Sequence, residues 1–336
     1  MRAALNLRQA VRELLQGKTP ARPLFLPIVF SLGARVENVA LHGFLSNPTK
    51  ITNALRQVRA HFTADGLTCY FDPYLEAEAL GGSLEWQTEE GPVELRWPGG
   101  VTPEGLPAGM RSPETVAQSG RVPVAVEVIR RMKDALRESA LLTAGLSGPL
   151  ALANMLVRAS ASGAGPGGPM PAAVVEAVGT ALAEIARALL EAGADVILIQ
   201  ERVPSGMPAE RVEDGMSQLQ IAVNVIQFYE ALPVLVLSAG DARGTLAACG
   251  GAASACIVCP EWDEAVRGGA RAGAGAPVCG VALPVNAFDG VEGAERDTEL
   301  AATTRSLQPA IVTTAGDISR IANLKRLAQF RDALAG

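Results

Sequence analysis

The sequence contains few aromatic and few charged residues, and this scarcity excludes one class of partner. Among 336 residues there are 8 Phe, 3 Tyr and 3 Trp, too few for the row of aromatic rings on which single-stranded nucleic acid stacks. Charged residues make up 19% of the chain and the net charge is −6, so no basic surface is expected to neutralise a phosphate backbone. Nucleic acid is therefore not expected as a partner.

Long hydrophobic runs are also missing. No run approaches the roughly 18–20 apolar residues that a membrane-spanning helix needs, and the longest, at residues 232–237, has the length of a strand. Residues 1–20 carry leucines at helical spacing without the apolar core of a secretory signal, so they predict an amphipathic N-terminal helix, with an organellar presequence as the alternative. Five cysteines, an odd number, are typical of reduced thiols. These features predict a cytoplasmic protein with no membrane partner.

Hydrophobic residues make up 49% of the chain and are concentrated in short runs rich in Val, Ile and Leu. The runs are continuous, which is typical of parallel strands buried on both faces. They cover residues 24–30, 66–71, 141–146, 195–199, 233–237, 255–259, 277–283 and 310–314. Helical stretches lie between and after them at residues 49–62, 112–137, 171–192, 213–229, 261–268, 293–306 and 317–334. This alternation predicts an α/β protein built as a single (β/α)8 TIM barrel, and no GxGxxG motif favours a doubly wound sheet instead.

We expect residues 1–336 to form one domain with two insertions. Residues 81–110 follow the second strand and contain a predicted β-hairpin, and residues 160–171, reading SASGAGPGGPMP, predict a flexible connection after the third strand. Asn47 followed by Pro48 is typical of a helix start, and Gly193 is typical of a helix end.

Catalytic groups of TIM barrels lie where strands end and the following loops begin. Asp72 is the candidate catalytic residue, because a carboxylate there can orient an N–H group or accept a proton; the alternative is that it caps the next helix. Glu76 and Glu78 are two residues apart, so at most one is expected to face the pocket, and a solvated or helix-terminal role is favoured for both. The other polar or reactive residues at strand ends, which are candidates for substrate binding or for lining the pocket, are Arg35, Ser147, Gln200, Glu201, Ser238, Asp241, Cys259, Pro284, Thr314 and Asp317.

Several segments, in order along the chain, resemble the uroporphyrinogen decarboxylase superfamily. Residues 65–81 read DGLTCYFDPYLEAEALG and resemble its second strand, closing aspartate and following helix. Residues 148–153, GPLALA, are similar to a GPxTLA turn after strand three, and residues 191–195, EAGAD, are similar to the segment before strand four. The resemblance covers about residues 8–334. It implies a TIM barrel and one of two activities, decarboxylation of uroporphyrinogen without a cofactor or methyl transfer between a corrinoid protein and a thiol or pterin.

The segment EAEALG is closer to the methyltransferases, but the chain departs from their metal site. Zinc-dependent members carry His-x-Cys after strand five and a further Cys after strand eight. The corresponding positions here are Leu237 and Ala239, and then Asp317. Because zinc in such a site needs nitrogen and sulfur ligands, we expect no zinc. The decarboxylases carry early arginines that hold carboxylates, and only Arg35 remains in the corresponding segment.

Three hypotheses follow from the resemblance and its departures. The first is a zinc-independent methyltransferase that uses cobalamin or a methyl-pterin as substrate or partner, with a corrinoid protein as the partner chain. The second is a cofactor-free decarboxylase of uroporphyrinogen or a smaller relative. The third is a catalytically degenerate member that binds a tetrapyrrole or docks to a partner protein. In each case we expect a monomer or homodimer and a small-molecule substrate.

Overall fold

A computed structural model of the chain describes residues 6–100, 102, 106–160, 170–203, 206–239, 256–268, 279–290, 293–318 and 320–335. Their helices and strands, in chain order, are α1 (Leu7–Leu15), β1 (Leu24–Phe25), α2 (Leu32–Val36), α3 (Leu41–Leu45), α4 (Pro48–His61), β2 (Gly66–Tyr70), α5 (Leu75–Ala79), β3 (Ser83–Trp86), β4 (Val93–Arg96), α6 (Pro113–Val116), α7 (Val122–Leu136), β5 (Leu141–Ser147), α8 (Pro149–Ser160), α9 (Ala172–Ala192), β6 (Val196–Val203), α10 (Ala209–Phe228), β7 (Leu232–Ala239), β8 (Ile257–Pro260), α11 (Trp262–Gly268), β9 (Val281–Leu283), α12 (Ala294–Ser306), β10 (Ile311–Thr314) and α13 (Leu324–Ala335).

Eight parallel strands form the barrel, as the apolar runs predict. One set of neighbours is β2, β5, β6, β7 and β8, and a second is β9, β10 and β1. Parallel bridges from Val258 to Cys279 and from Glu261 to Ala282 connect β8 with β9. On the other side, the backbone N–H of Asp65 donates to the carbonyl of Phe25 at 3.1 Å, which joins the first strand to the second. Strands such as β2 are buried along their whole length, because both faces of a barrel strand are covered.

The insertion after the second barrel strand is the predicted hairpin. Strands β3 and β4 pair antiparallel, with Ser83 opposite Arg96 and Trp86 opposite Val93. Their residues alternate between exposed and half-buried, so only one face of this ribbon packs on the barrel. The predicted flexible connection lies largely at residues 161–169, outside the described residues.

The capping residues explain where two of the helices begin and end. The Asn47 side chain accepts hydrogen bonds from the backbone of Thr49 and Lys50, which fixes the start of α4. Gly193 ends α9 with a left-handed φ of 112°, which glycine adopts without strain. Both predictions are confirmed.

Two helix predictions are wrong. Residues 112–137 form two helices, α6 and α7, because the chain turns at Gly120, whose φ is +55°. A Cβ there would also lie 3.1 Å from the backbone nitrogen of Ala79. The last helix begins at Leu324 and not at residue 317. Asp317 is instead held by the backbone of the first strand segment, as described below.

Most of the core lies inside and around the barrel. Phe30 packs on Tyr70 and Phe44, with ring centroids 5.0 and 5.3 Å away, and all three rings are fully buried. Within the described part of the chain, no helix is both long enough and apolar enough to span a membrane.

Candidate functional site

A buried ion-pair cluster lies at the carboxyl end of the second barrel strand. Asp72 follows β2 and is only 6% exposed. One carboxylate oxygen, Oδ1, accepts a hydrogen bond from the backbone of Tyr74 at 2.9 Å, and the other pairs with Nη1 of Arg121. Nε of Arg121 donates to Glu78 at 2.6 Å. Burial raises the pKa of Asp72, and the neighbouring guanidinium opposes this rise.

Arg121 was not among the sequence candidates. Residues 112–137 were predicted as one helix, which would have placed Arg121 in its interior, whereas the residue immediately precedes α7. Pro123 could have shown that a new helix begins here, because proline in the first turn is typical of a helix start. Burial lowers the pKa of the Arg121 guanidinium, but the charges of Asp72 and Glu78 outweigh burial and the pKa is raised. The guanidinium is therefore a permanent cation that keeps these carboxylates in place.

Arg35, a candidate for binding a substrate carboxylate, lies on the surface, and the cation beside Asp72 is Arg121. The Arg35 side chain is exposed on α2, and its Nη2 donates to the carbonyl of Ala322 at 3.1 Å. The reason is that the segment after β1 turns directly into α2, which carries Arg35 to the outside of the molecule.

A second buried carboxylate joins two neighbouring strands. Glu76 is fully buried, although a solvated or helix-terminal role was favoured for it. Oε1 accepts the backbone N–H of Ser147 at 2.7 Å and Oε2 accepts its hydroxyl at 3.1 Å. Burial raises the pKa of Glu76 to about 7, and the charge of Asp72 acts in the same direction.

Ser147 ends β5 and is half-buried, so its hydroxyl connects Glu76 with the barrel mouth. Glu76 and Glu78 bond to different partners, as their spacing predicts.

Glu201 lies under the start of α8. Its carboxylate accepts backbone N–H groups of Leu150 at 3.0 Å, Ala151 at 2.7 Å and Arg202 at 2.9 Å. This satisfies N–H groups that a helix start leaves unpaired. Glu201 bonds to the backbone of Arg202 and not to its guanidinium, and Arg211 pairs with Asp214. Burial raises the pKa of Glu201 to about 7.

Two further sets of polar contacts lie at the carboxyl ends of the strands, at the mouth of the barrel. Asp317 accepts the backbone N–H groups of Phe30 and Ser31, both at 2.8 Å, and burial raises its pKa to about 6. The amide nitrogen Nε2 of Gln200 donates to the carbonyl of Ala315 at 3.1 Å. Because β6 and β10 lie opposite each other in the ring of strands, this contact reaches across the mouth.

Within the described residues, the remaining candidates make no hydrogen bond or ion pair with Asp72, Arg121 or Glu78, and they differ in their own partners and burial. The Ser238 hydroxyl donates to Glu261, Cys259 is fully buried, and Thr314 donates to the carbonyl of Gly316. Burial raises the pKa of the Cys259 thiol, so it is not a reactive thiolate. Pro284 is half-buried, and Asp241 lies outside the described residues. Asp72, Glu201 and Ser238 all lie at carboxyl ends of strands, but each bonds to a different partner.

The positions that the resemblance assigns to zinc ligands do not suit a metal. Leu237 is apolar and fully buried. Both oxygens of Asp317 already accept backbone hydrogen bonds. Elsewhere in the described residues, no three His, Cys, Asp or Glu side chains come together in a way that could hold an ion.

A parallel eight-stranded barrel with buried carboxylates at the carboxyl ends of its strands is an architecture of TIM-barrel enzymes. The family model described as uroporphyrinogen decarboxylase (URO-D) matches residues 7–214, and the chain belongs to this family.

Comparison with solved structures extends the likeness beyond the matched segment. A methyltransferase from Methanosarcina mazei is similar over 99% of both chains, at 17% identity and a TM-score of 0.77. A B12-independent methionine synthase from Shewanella sp. W3-18-1 is similar over 85% of this chain and 86% of its own, at 16% identity and a TM-score of 0.44. Comparison with curated protein sequences gives no significant match. At 17% identity the likeness to the Methanosarcina mazei protein establishes the fold alone.

Proposed function

We propose that the protein is a zinc-independent methyltransferase that works with a corrinoid or pterin methyl carrier, the corrinoid being presented by a separate corrinoid protein. The full-length likeness to the Methanosarcina mazei methyltransferase supports this proposal. A bound methylcorrinoid or methyl-pterin supplies the methyl group and keeps the electron pair of the bond that it loses.

The bonding of two arginines favours methyl transfer over decarboxylation as the function of this protein. Uroporphyrinogen bears eight carboxylates, and each is best met by a charge-assisted partner. Arg35 instead donates to Ala322, and Arg121 is held between Asp72 and Glu78. Arg35 is exposed on α2, and the charge of Arg121 is already balanced by two carboxylates, although its buried Nη2 has no hydrogen-bond partner among the described residues. These two arginines therefore offer little cationic charge to eight substrate carboxylates, whereas a methyl carrier with an apolar face requires none.

The Glu76–Ser147 pair supplies a route for the proton that methyl transfer releases. When a thiol acceptor is methylated, its S–H bond breaks and the electron pair of the sulfur forms the new bond to carbon. The released proton passes through the Ser147 hydroxyl to Glu76, whose pKa of about 7 suits a proton acceptor near neutral pH. Asp72, fixed by Arg121, orients a polar group of the substrate beside this pair.

Decarboxylation remains the second candidate, because the matching family model is that of uroporphyrinogen decarboxylase. In that reaction Asp72 would stabilise the protonated pyrrole. Spectral titration with methylcobalamin and a thiol, and separately with a porphyrinogen, distinguishes the two. Methyl transfer without porphyrinogen turnover supports our proposal, porphyrinogen decarboxylation alone replaces it, and turnover of neither indicates the degenerate member.

Single substitutions test whether turnover depends on the residues of this site. Asp72→Asn keeps the shape and removes the charge, and it should reduce turnover by about 10²–10³. Ser147→Ala removes the relay and should reduce turnover by about 10²-fold or more, with the loss greatest at low pH. Ser217→Ala is the matched control, since its exposed hydroxyl bonds only to Glu213 of its own helix. Full turnover in Asp72→Asn would make Asp72 a helix cap.

A further inference from the structure

A cavity of about 360 Å³ opens at the amino ends of the barrel strands, the end opposite the candidate site. Its wall includes Phe25 of β1, Asp65 immediately before β2 and Ser139 shortly before β5. The volume falls within the range of about 300–1,000 Å³ that is usual for small-molecule sites. Conserved structure at this end of a TIM barrel normally serves stability, so a site here would be separate from the chemistry at the mouth.

Three arginines from different parts of the chain line this cavity: Arg22, Arg59 and Arg331. Only Arg22 is neutralised by a carboxylate in the wall, through two hydrogen bonds to Asp65 of 2.6 and 2.7 Å. Arg331 binds Thr63 and its exposed neighbour Asp332. Arg331 thus has its charge paired with Asp332 through Nε and Nη2, and the unbalanced positive charge in the described part of the wall is that of Arg59.

Arg59 has the least compensated charge of the three. Nη2 donates to the carbonyl of Ser139 at 2.6 Å and lies 3.4 Å from its hydroxyl. Throughout the described ranges, neither Nε nor Nη1 of Arg59 has an acceptor, and no carboxylate pairs with it. Burial without an acidic partner lowers the pKa of this guanidinium, which is the expected sign of a cation held in an incompletely satisfied environment.

The rest of the wall is apolar. Leu7, Pro23, Phe25 and Leu334 surround the guanidinium groups. We propose that this cavity binds a small organic anion, with its phosphate or carboxylate group on Arg59 and on Arg331, where it takes the place of the exposed Asp332. The hydrocarbon part of the anion lies against these apolar side chains. The planar guanidinium fork recognises both anionic groups by paired hydrogen bonds.

Isothermal titration calorimetry on the purified full-length chain tests the proposal with phenyl phosphate, benzoate, inorganic phosphate and neutral phenol. We expect saturable binding of phenyl phosphate or benzoate, weaker binding of inorganic phosphate and none of phenol. The comparison of the two aromatic anions identifies the preferred anionic group. Absence of saturable binding below about 10 mM, or equal binding of phenol, overturns the proposal.

Two variants locate the binding. Arg59→Gln and Arg331→Gln should each weaken the bound anion about tenfold or more. Arg56→Gln, at an exposed position on the same helix α4, is the matched control and should bind like the unmodified chain. Circular dichroism establishes that each variant is folded. Unchanged affinity in both folded test variants overturns the assignment. Because the readout is binding, its outcome is independent of methyl transfer.

Discussion

The ion pair of Asp72 with Arg121 yields a test of how the candidate site is held together. The side chains of Asp72 and Arg121 are 4% and 9% exposed, so Arg121→Met would leave Asp72 buried without a cation and Glu78 without its partner. Breaking a buried pair by removing one member typically costs about 3–5 kcal/mol. We expect the free energy of unfolding to fall by that amount. The control Arg131→Met removes an exposed pair with Glu127 and should cost about 0.3–0.5 kcal/mol.

Urea unfolding of Arg121→Met, Asp72→Asn and the double variant measures this coupling. The double variant removes cation and anion together, so its loss should be smaller than the sum of the single losses by about 1–3 kcal/mol. Without Arg121, the pKa of Asp72 should rise further, and protonation should restore part of the stability. The deficit of Arg121→Met should accordingly be smaller at pH 5 than at pH 8. Additive losses, or a deficit that does not change with pH, would refute the assignment.

Three further predictions concern the other carboxylates and the metal. The pKa values of Glu76 and Glu201 are raised from 4.5 to about 7, so the stability that their neutral forms contribute is full below pH 4.5 and is lost as the pH rises through 7. The melting temperature should therefore fall between pH 4.5 and pH 8, by the equivalent of up to roughly 3 kcal/mol for each group, and a flat profile would contradict this. Glu201→Ala leaves N–H groups at the start of α8 unpaired and should cost about 1–3 kcal/mol in urea unfolding; a loss below about 0.5 kcal/mol would show that water replaces the carboxylate. Protein purified without chelator should contain no stoichiometric zinc, and elemental analysis that finds about one ion per chain would redirect attention to Cys259, Glu201 and Asp317.

The sequence predicted the barrel because its signals are local. Continuous apolar runs identify buried parallel strands, and Asn47 and Gly193 mark helix ends through backbone geometry that neighbouring residues decide. The same reasoning placed Asp72 and Glu201 at strand ends. It could not identify their hydrogen-bonding and ion-pair partners, because these come from distant segments of the chain. Arg121 lies beyond the hairpin insertion that follows Asp72, and Glu201 accepts N–H groups from residues about 50 positions earlier.

The partners of each buried carboxylate distinguish a structural role from a chemical one. Glu201 accepts backbone N–H groups, which are fixed by the fold and cannot transfer a proton at neutral pH. Asp317 has a side-chain hydrogen bond with Ser31, and its two oxygens also hold the backbone N–H groups of Phe30 and Ser31 in place. Glu76 accepts one such group and also a hydroxyl, and a hydroxyl can rotate and can both donate and accept. Of Glu76 and Glu201, therefore, Glu76 is the carboxylate with a bonded partner through which a proton can pass, and its hydroxyl partner Ser147 ends a barrel strand. For this reason we assign the proton transfer to Ser147 and Glu76, and the orientation of the substrate to Asp72.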